Sequence, residues 1–144
     1  MKKYLNLNLI WISLVLLLLA GCSGGELSIE GAWARPGIPG GNSAVYFTID
    51  NPTGQADTLL SAECSMAQHA ELHRSKMTEE GAMTMEPQES VPVPAGEQVS
   101  FEPGGLHVML VSMNEEIQPG DSLPLTLRFE KAGEMQITAE VRQP

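Results

Sequence analysis

Pro103-Gly104-Gly105-Leu106-His107-Val108-Met109-Leu110 is the stretch that decides the fold. A Pro-Gly-Gly turn opens straight into a run in which successive side chains must point to opposite faces of a strand. Leu106, Val108 and Leu110 form one apolar stripe, which belongs to a core. His107 and Met109 fall on the other face, about 7 Å apart along the strand. The same alternation pairs Met83 with Met85, and sends Leu72 inward while His73 shares its face with Glu71.

Working outward, short alternating segments recur between Gly, Pro, Asn and Asp breakers, and none keeps helical periodicity for longer than about two turns. The expected strands are Glu30 to Arg35, Ser43 to Asp50, Thr58 to Ala62, Ala70 to Ser75, Ala82 to Glu86, Val91 to Val93, Gln98 to Glu102, His107 to Ser112, Ser122 to Glu130 and Glu134 to Arg142. Spacings of roughly 8 to 12 residues predict an all-β sandwich or barrel, and the 144-residue length allows one such domain. Eight basic residues stand against 18 acidic ones, and Lys2 and Lys3 lie in the leader. That balance argues against nucleic acid and anionic lipid headgroups as partners, since both require clustered positive charge.

Residues 1–21 read as a bacterial lipoprotein signal peptide. Met1-Lys2-Lys3 gives the positive start, Leu9 to Ala20 the apolar middle, and Leu19-Ala20-Gly21-Cys22 resembles a lipobox. The apolar run is short for a membrane span, which needs about 18 residues or more. Cys22 is then the expected lipidation site, residues 22–28 a tether, and residues 29–142 the folded domain. The chain is expected to be exported and held by its lipid on a bacterial membrane, facing the periplasm or the exterior. A lipidated Cys22 leaves Cys64 without a disulfide partner, and Cys64 reads as a small buried hydrophobe.

Seven of the eight methionines lie beyond the leader, and Met77, Met83, Met85, Met109 and Met113 fall near His73 and His107 in the expected fold. A single Met most often fills a gap in a core. Two imidazoles with two thioethers, however, make a soft, uncharged donor set suited to Cu(I) and poorly suited to Zn(II), Ca(II) or Mg(II). Thioethers need no deprotonation and cannot be lost to disulfides in an oxidising compartment. His69 reads as a surface residue, and Cys64 and Met66 with His69 as an ordinary loop rather than a second soft site. No Cys stands near His107, which removes a blue-copper centre. No nucleophile triad, phosphate loop or glycosidase pair stands out, so no enzyme is expected.

Eleven residues separate His73 from Met85, 21 separate Met85 from His107, and one separates His107 from Met109. With Gly31-Ala32-Trp33-Ala34-Arg35-Pro36, Ala44-Val45-Tyr46-Phe47 and Leu123-Pro124-Leu125-Thr126-Leu127-Arg128-Phe129, that order resembles the periplasmic PCuAC-type copper chaperones over about Ile29 to Val141. The resemblance implies a cupredoxin-like Greek-key β-sandwich that binds one Cu(I) through His73, Met85, His107 and Met109. It implies delivery to a copper acceptor, a thiol-bearing assembly factor or a cytochrome c oxidase subunit whose dinuclear centre is being built. Arg74 follows His73 where the family often carries Met, and its charge is expected near the metal. Met85, Met109 and Met113 are expected to crowd one end of the sandwich. Two other readings stand beside this one: a copper-scavenging or storage lipoprotein, and a β-sandwich interaction module without metal.

Overall fold

The computed structural model describes residues 24–143; the expected signal peptide and Cys22 lie outside the described residues. Ten strands follow one another: β1 Ser28–Ala34, β2 Ser43–Asn51, β3 Asp57–Glu63, β4 Ala67–Met77, β5 Met83–Pro87, β6 Val91–Val93, β7 Glu97–Phe101, β8 Leu106–Met113, β9 Ser122–Phe129 and β10 Gly133–Val141. Among the described residues there is no helix. Each expected strand is present, most displaced by only a residue or two at an end. β4 is the exception: it begins at Ala67 rather than Ala70 and therefore includes the exposed His69.

The strands form one hydrogen-bonded sheet in the order β5-β4-β8-β7-β2-β1-β10-β9-β3-β6, with a further pairing of β8 to β2. The expectation of an all-β domain is met, by one continuous sheet. The sheet curls, because β3 from one end approaches β4 from the other without pairing to it. Inside the curl lies a single core to which nearly every strand contributes, including Val45, Phe47, Ile49, Leu59, Leu72, Val108, Leu110, Leu125 and Leu127. Phe47 and Phe101 stack across β2 and β7 with ring centroids 4.4 Å apart. A shared core lets strands alternate apolar-in and polar-out, most regularly in β9, where Leu123, Leu125, Leu127 and Phe129 are buried.

Alternation fails at one informative place. Ser112, near the end of β8, has a positive φ of 53°, and its backbone N–H donates to Asn42 Oδ1 at 3.1 Å. The left-handed residue shifts the pattern by one, so Met113 turns into the core with only 2% of its surface exposed. Met113 packs at the Gly37 backbone, where an added Cβ would meet its Cγ at 3.2 Å. It is a core residue and does not join Met85 and Met109, contrary to the alternation-based expectation.

Far from the metal-binding candidates, Asp57 ties the β9–β10 turn to β3. Its carboxylate accepts the backbone N–H groups of Thr58 at 2.7 Å, Lys131 at 2.9 Å and Ala132 at 2.8 Å. Burial alone pushes this carboxyl group up, but the three amides and the Lys131 charge outweigh it and hold its pKa below the ordinary value. A depressed carboxylate pKa gives stability that is present above the unfolded value of 3.8 and is lost as pH falls through the folded one. Asp57→Ala is therefore expected to cost about 1–3 kcal/mol of unfolding free energy at neutral pH. Urea denaturation should show that gap starting to narrow below about pH 4 and closing as pH falls through the depressed folded pKa, where the wild-type carboxylate takes up its proton. A gap that stays constant into acid would contradict this role.

Candidate metal centre

The site is built on the outer face of β4 and β8, whose antiparallel register sets His73 opposite His107. Directly opposed residues share a face, with Cβ atoms roughly 4.5–5.5 Å apart. The two imidazole centroids lie 5.8 Å apart, edge to face. In the same register Glu71 stands opposite Met109, and Ser75 on β4 stands opposite Met85 on β5. Met109 and Met85 thus flank the histidine pair on its two sides along the strands.

Each ring has one nitrogen committed and one free. His73 Nε2 lies 2.9 Å from Glu71 Oε2, and His107 Nδ1 lies 3.1 Å from the Gly105 carbonyl. Both partners only accept, so the protons sit on those two nitrogens, and a neutral ring then keeps a lone pair on the other. The other nitrogen of His73, Nδ1, is buried with no hydrogen-bond partner. A buried polar atom without a partner is costly, and a lone pair aimed at a soft cation would relieve that cost.

A cleft of about 470 Å³ opens beside the pair, lined by His107, Met109, Met83, Met85, Tyr46 and Arg35 among others. His73 does not line it. It stands behind, at a neighbouring hollow formed by Leu60, Glu71, Pro87 and others. His107 is only 4% exposed although it points away from the apolar stripe; Tyr46 packs near it, with its ring centroid 6.4 Å away. Tyr46 continues a stack through Trp33 at 4.6 Å to the Arg142 guanidinium. Alternation from the sequence identifies the face a residue points to, but not what folds over that face.

The cation beside the cleft is Arg35, whose guanidinium lies over the Tyr46 ring at 5.8 Å. Arg74 pairs with Leu106, one step out of phase with His73, and so projects to the opposite face of β4. Its expected place near the metal is thereby corrected. Cys64 is half-buried against the core, and burial raises its thiol pKa, as a structural rather than reactive cysteine requires. Among the described residues no group of three or more His, Cys, Asp or Glu could hold a metal ion.

Fold and cleft together define a small all-β domain of the PCuAC kind. The solved structure "Copper-bound PCuAC domain from PmoF2" has a TM-score of 0.69 and 27% identity over 85% of this chain and 97% of its own. "Apo PCuAC domain from PmoF1" gives 0.69 and 28% over 85% and 98%. The Cu(I) form of DR1885 from Deinococcus radiodurans shares the fold, with a TM-score of 0.61, 21% identity, and coverage of 87% of this chain and 85% of its own. The chain belongs to the LpqE-like family, whose model, "Putative lipoprotein LpqE-like", matches residues 27–141. Two curated relatives are Lxx21020 of Leifsonia xyli subsp. xyli, named in the same way, 26% identical over 81% of this chain, and RP573 of Rickettsia prowazekii, 28% identical over 68%. The chain spans 69% of the first relative's length and 56% of the second's.

The geometry also sets the protonation of the site. Burial holds the His107 imidazole below its ordinary range; the Gly105 carbonyl opposes this, while the nearby His73 and Arg35 reinforce it. A depressed imidazole pKa means stability that is complete above the unfolded value of 6.5 and is lost as pH falls through the folded one. In the metal-free protein, NMR titration of His107 is expected to give a midpoint below 6.5, with resistance to urea declining over the same acidic range. A midpoint at or above that value would contradict the burial seen here.

Proposed function

We propose that this chain is a non-enzymatic copper(I) carrier that works outside the cytoplasm and holds its cargo through His73, Met85, His107 and Met109. The observation that carries the reading is the facing histidine pair: each ring has one nitrogen fixed by a hydrogen bond, and the pair is flanked by thioethers on the same face. Fixing the far nitrogen orients the donor lone pair and raises its basicity, as the outer partners of metal-bound imidazoles do. Two neutral imidazoles and two thioethers favour Cu(I) over harder divalent ions. The copper-bound PCuAC domain of PmoF2, alike over nearly its whole length, supports the same cargo. The curled sheet is read as a cupredoxin-like Greek-key sandwich, in keeping with the crossovers that set β4 beside β8 and β3 beside β9.

The signal peptide of residues 1–21, the lipid on Cys22 and the tether of residues 22–28 belong to this proposal, with residues 29–142 as the carrying domain. The lipoprotein description of the family supports them. A thiol-bearing acceptor suits the chemistry, because thiolates hold Cu(I) more tightly than thioethers do and the gradient runs outward. Assembly of the dinuclear copper centre of cytochrome c oxidase is the use we propose for the delivered ion.

Competition against a Cu(I) chelator tests the ligand set. Met85 is 57% exposed, so Met85→Leu removes a sulfur without disturbing the core. Met85→Leu and Met109→Leu are each expected to weaken Cu(I) binding at least about tenfold, about 1.4 kcal/mol, with unfolding midpoints unchanged. Zn(II) should bind the wild type orders of magnitude more weakly than Cu(I). Equal zinc affinity, or full copper affinity in both leucine variants, would overturn the assignment. His107→Ala is a poorer test, because it also empties a packed position beneath Tyr46.

A further inference from the structure

Beyond the histidine pair, the β4–β5 hairpin carries methionines that the four-donor site does not use. Met77 stands directly opposite Met83 in the register, on the same face as Ser75, Met85 and His73. Met77 is 70% exposed and Met83 55%. Most of the large apolar side chains left open to solvent among the described residues are methionines of this one hairpin, the others being Ile38 and Leu60. An exposed hairpin has no packing reason to choose Met over a charged or β-branched residue, and open thioethers are prone to oxidation.

The hairpin is ordered out to its tip. Thr78 N–H donates to the Ala82 carbonyl at 2.7 Å, Gly81 N–H to the Thr78 carbonyl at 3.0 Å, and Ala82 N–H to Thr78 Oγ1 at 3.1 Å. Lys76 and Glu86 bridge the strands at 2.6 Å. Met83 also leans back toward the cleft: its methyl lies 3.9 Å from where a Cβ on Gly104 would stand, and it is one of the cleft-lining residues. Glu79 and Glu80 sit at the turn between the two methionines and place negative charge at the approach.

We propose that Met77 and Met83 form a second, outer Cu(I) site that captures the ion at the hairpin tip and passes it inward. The inference rests on the copper reading given above and adds a port to that site. Opposed residues hold their Cβ atoms roughly 4.5–5.5 Å apart, which lets two flexible thioethers close on one ion. From that row to the histidine row is four residues along β4, about 13 Å, with Met85 between them. A copper ion therefore moves by exchange of one thioether for the next: a bond to Met77 or Met83 breaks as a bond to Met85 forms, and imidazoles then replace sulfur. Copper remains Cu(I) throughout, and no proton or electron is transferred. A two-thioether site binds more weakly than the four-donor site, so the flow runs inward.

Stepwise Cu(I) titration of the purified protein against chelators of graded affinity tests this, with wild type, Met77→Leu and Met85→Leu side by side. The wild type is expected to bind one tight equivalent and a second at least about a hundredfold weaker. Met77→Leu, which keeps the exposed apolar area, should lose the second equivalent and keep the first within about twofold. Met85→Leu should weaken the first and keep the second. A single equivalent in the wild type, or a second equivalent that survives Met77→Leu, would overturn the outer site while leaving the copper carrier intact. No copper bound by any of the three would overturn the carrier reading itself.

Discussion

The antiparallel register of β4 against β8 is the constraint on which the rest depends. On the inner face it sets Leu72 opposite Val108 and Ala70 opposite Leu110, and three of these four side chains are buried in the core. On the outer face the same register sets His73 opposite His107 and Glu71 opposite Met109. A slip of either strand by one residue would turn that strand's imidazole toward the core and its apolar stripe toward the cleft, and the histidine pair would be lost. Hydrophobic burial thus fixes the spacing of the donors, and no donor needs to contribute to stability for the site to be held in place. β8 is locked further by its pairing to β2, which brings Tyr46 and Arg35 to the same cleft.

Much of this was legible in the sequence, and the failures share a physical cause. Strand positions came from alternation between Gly and Pro breakers, a local property, and so the ten strands emerged with nearly the right ends. The same period of two put His107 with Met109 and Met83 with Met85, while gathering His73, Met85, His107 and Met109 into one donor set came from the resemblance to the PCuAC-type chaperones. Met113 was misplaced because one left-handed residue, Ser112, shifts the period, and nothing in the identity of a serine announces a positive φ. The packing of Tyr46 near His107 and the place of Arg35 depend on β2 pairing with β8 and on β1 lying on the far side of β2. That neighbourhood is non-local, and periodicity cannot report it. The single curled sheet in place of two separately bonded ones was hidden for the same reason.

The proposed donors differ in exposure in a way that would suit a carrier. His107 is buried, Met109 half-buried, Met85 open, and Met77 the most open of the methionines named here. Uncharged donors would hold the ion without the cost of burying two opposite charges, since Cu(I) is the one charge that enters. Open thioethers give an incoming or departing ligand a place to attack without unfolding the sheet. The Glu71 carboxylate, hydrogen-bonded to His73, would place negative charge behind the proposed site without itself being a ligand.

X-ray absorption at the copper edge, on protein loaded with one equivalent of Cu(I), tests the central claim most directly. The expected result is a Cu(I) edge with two imidazole nitrogens and two sulfurs in the coordination sphere, the same in the Cys64→Ser protein. A shell of nitrogen and oxygen only, or a sulfur contribution that disappears with Cys64, would contradict it.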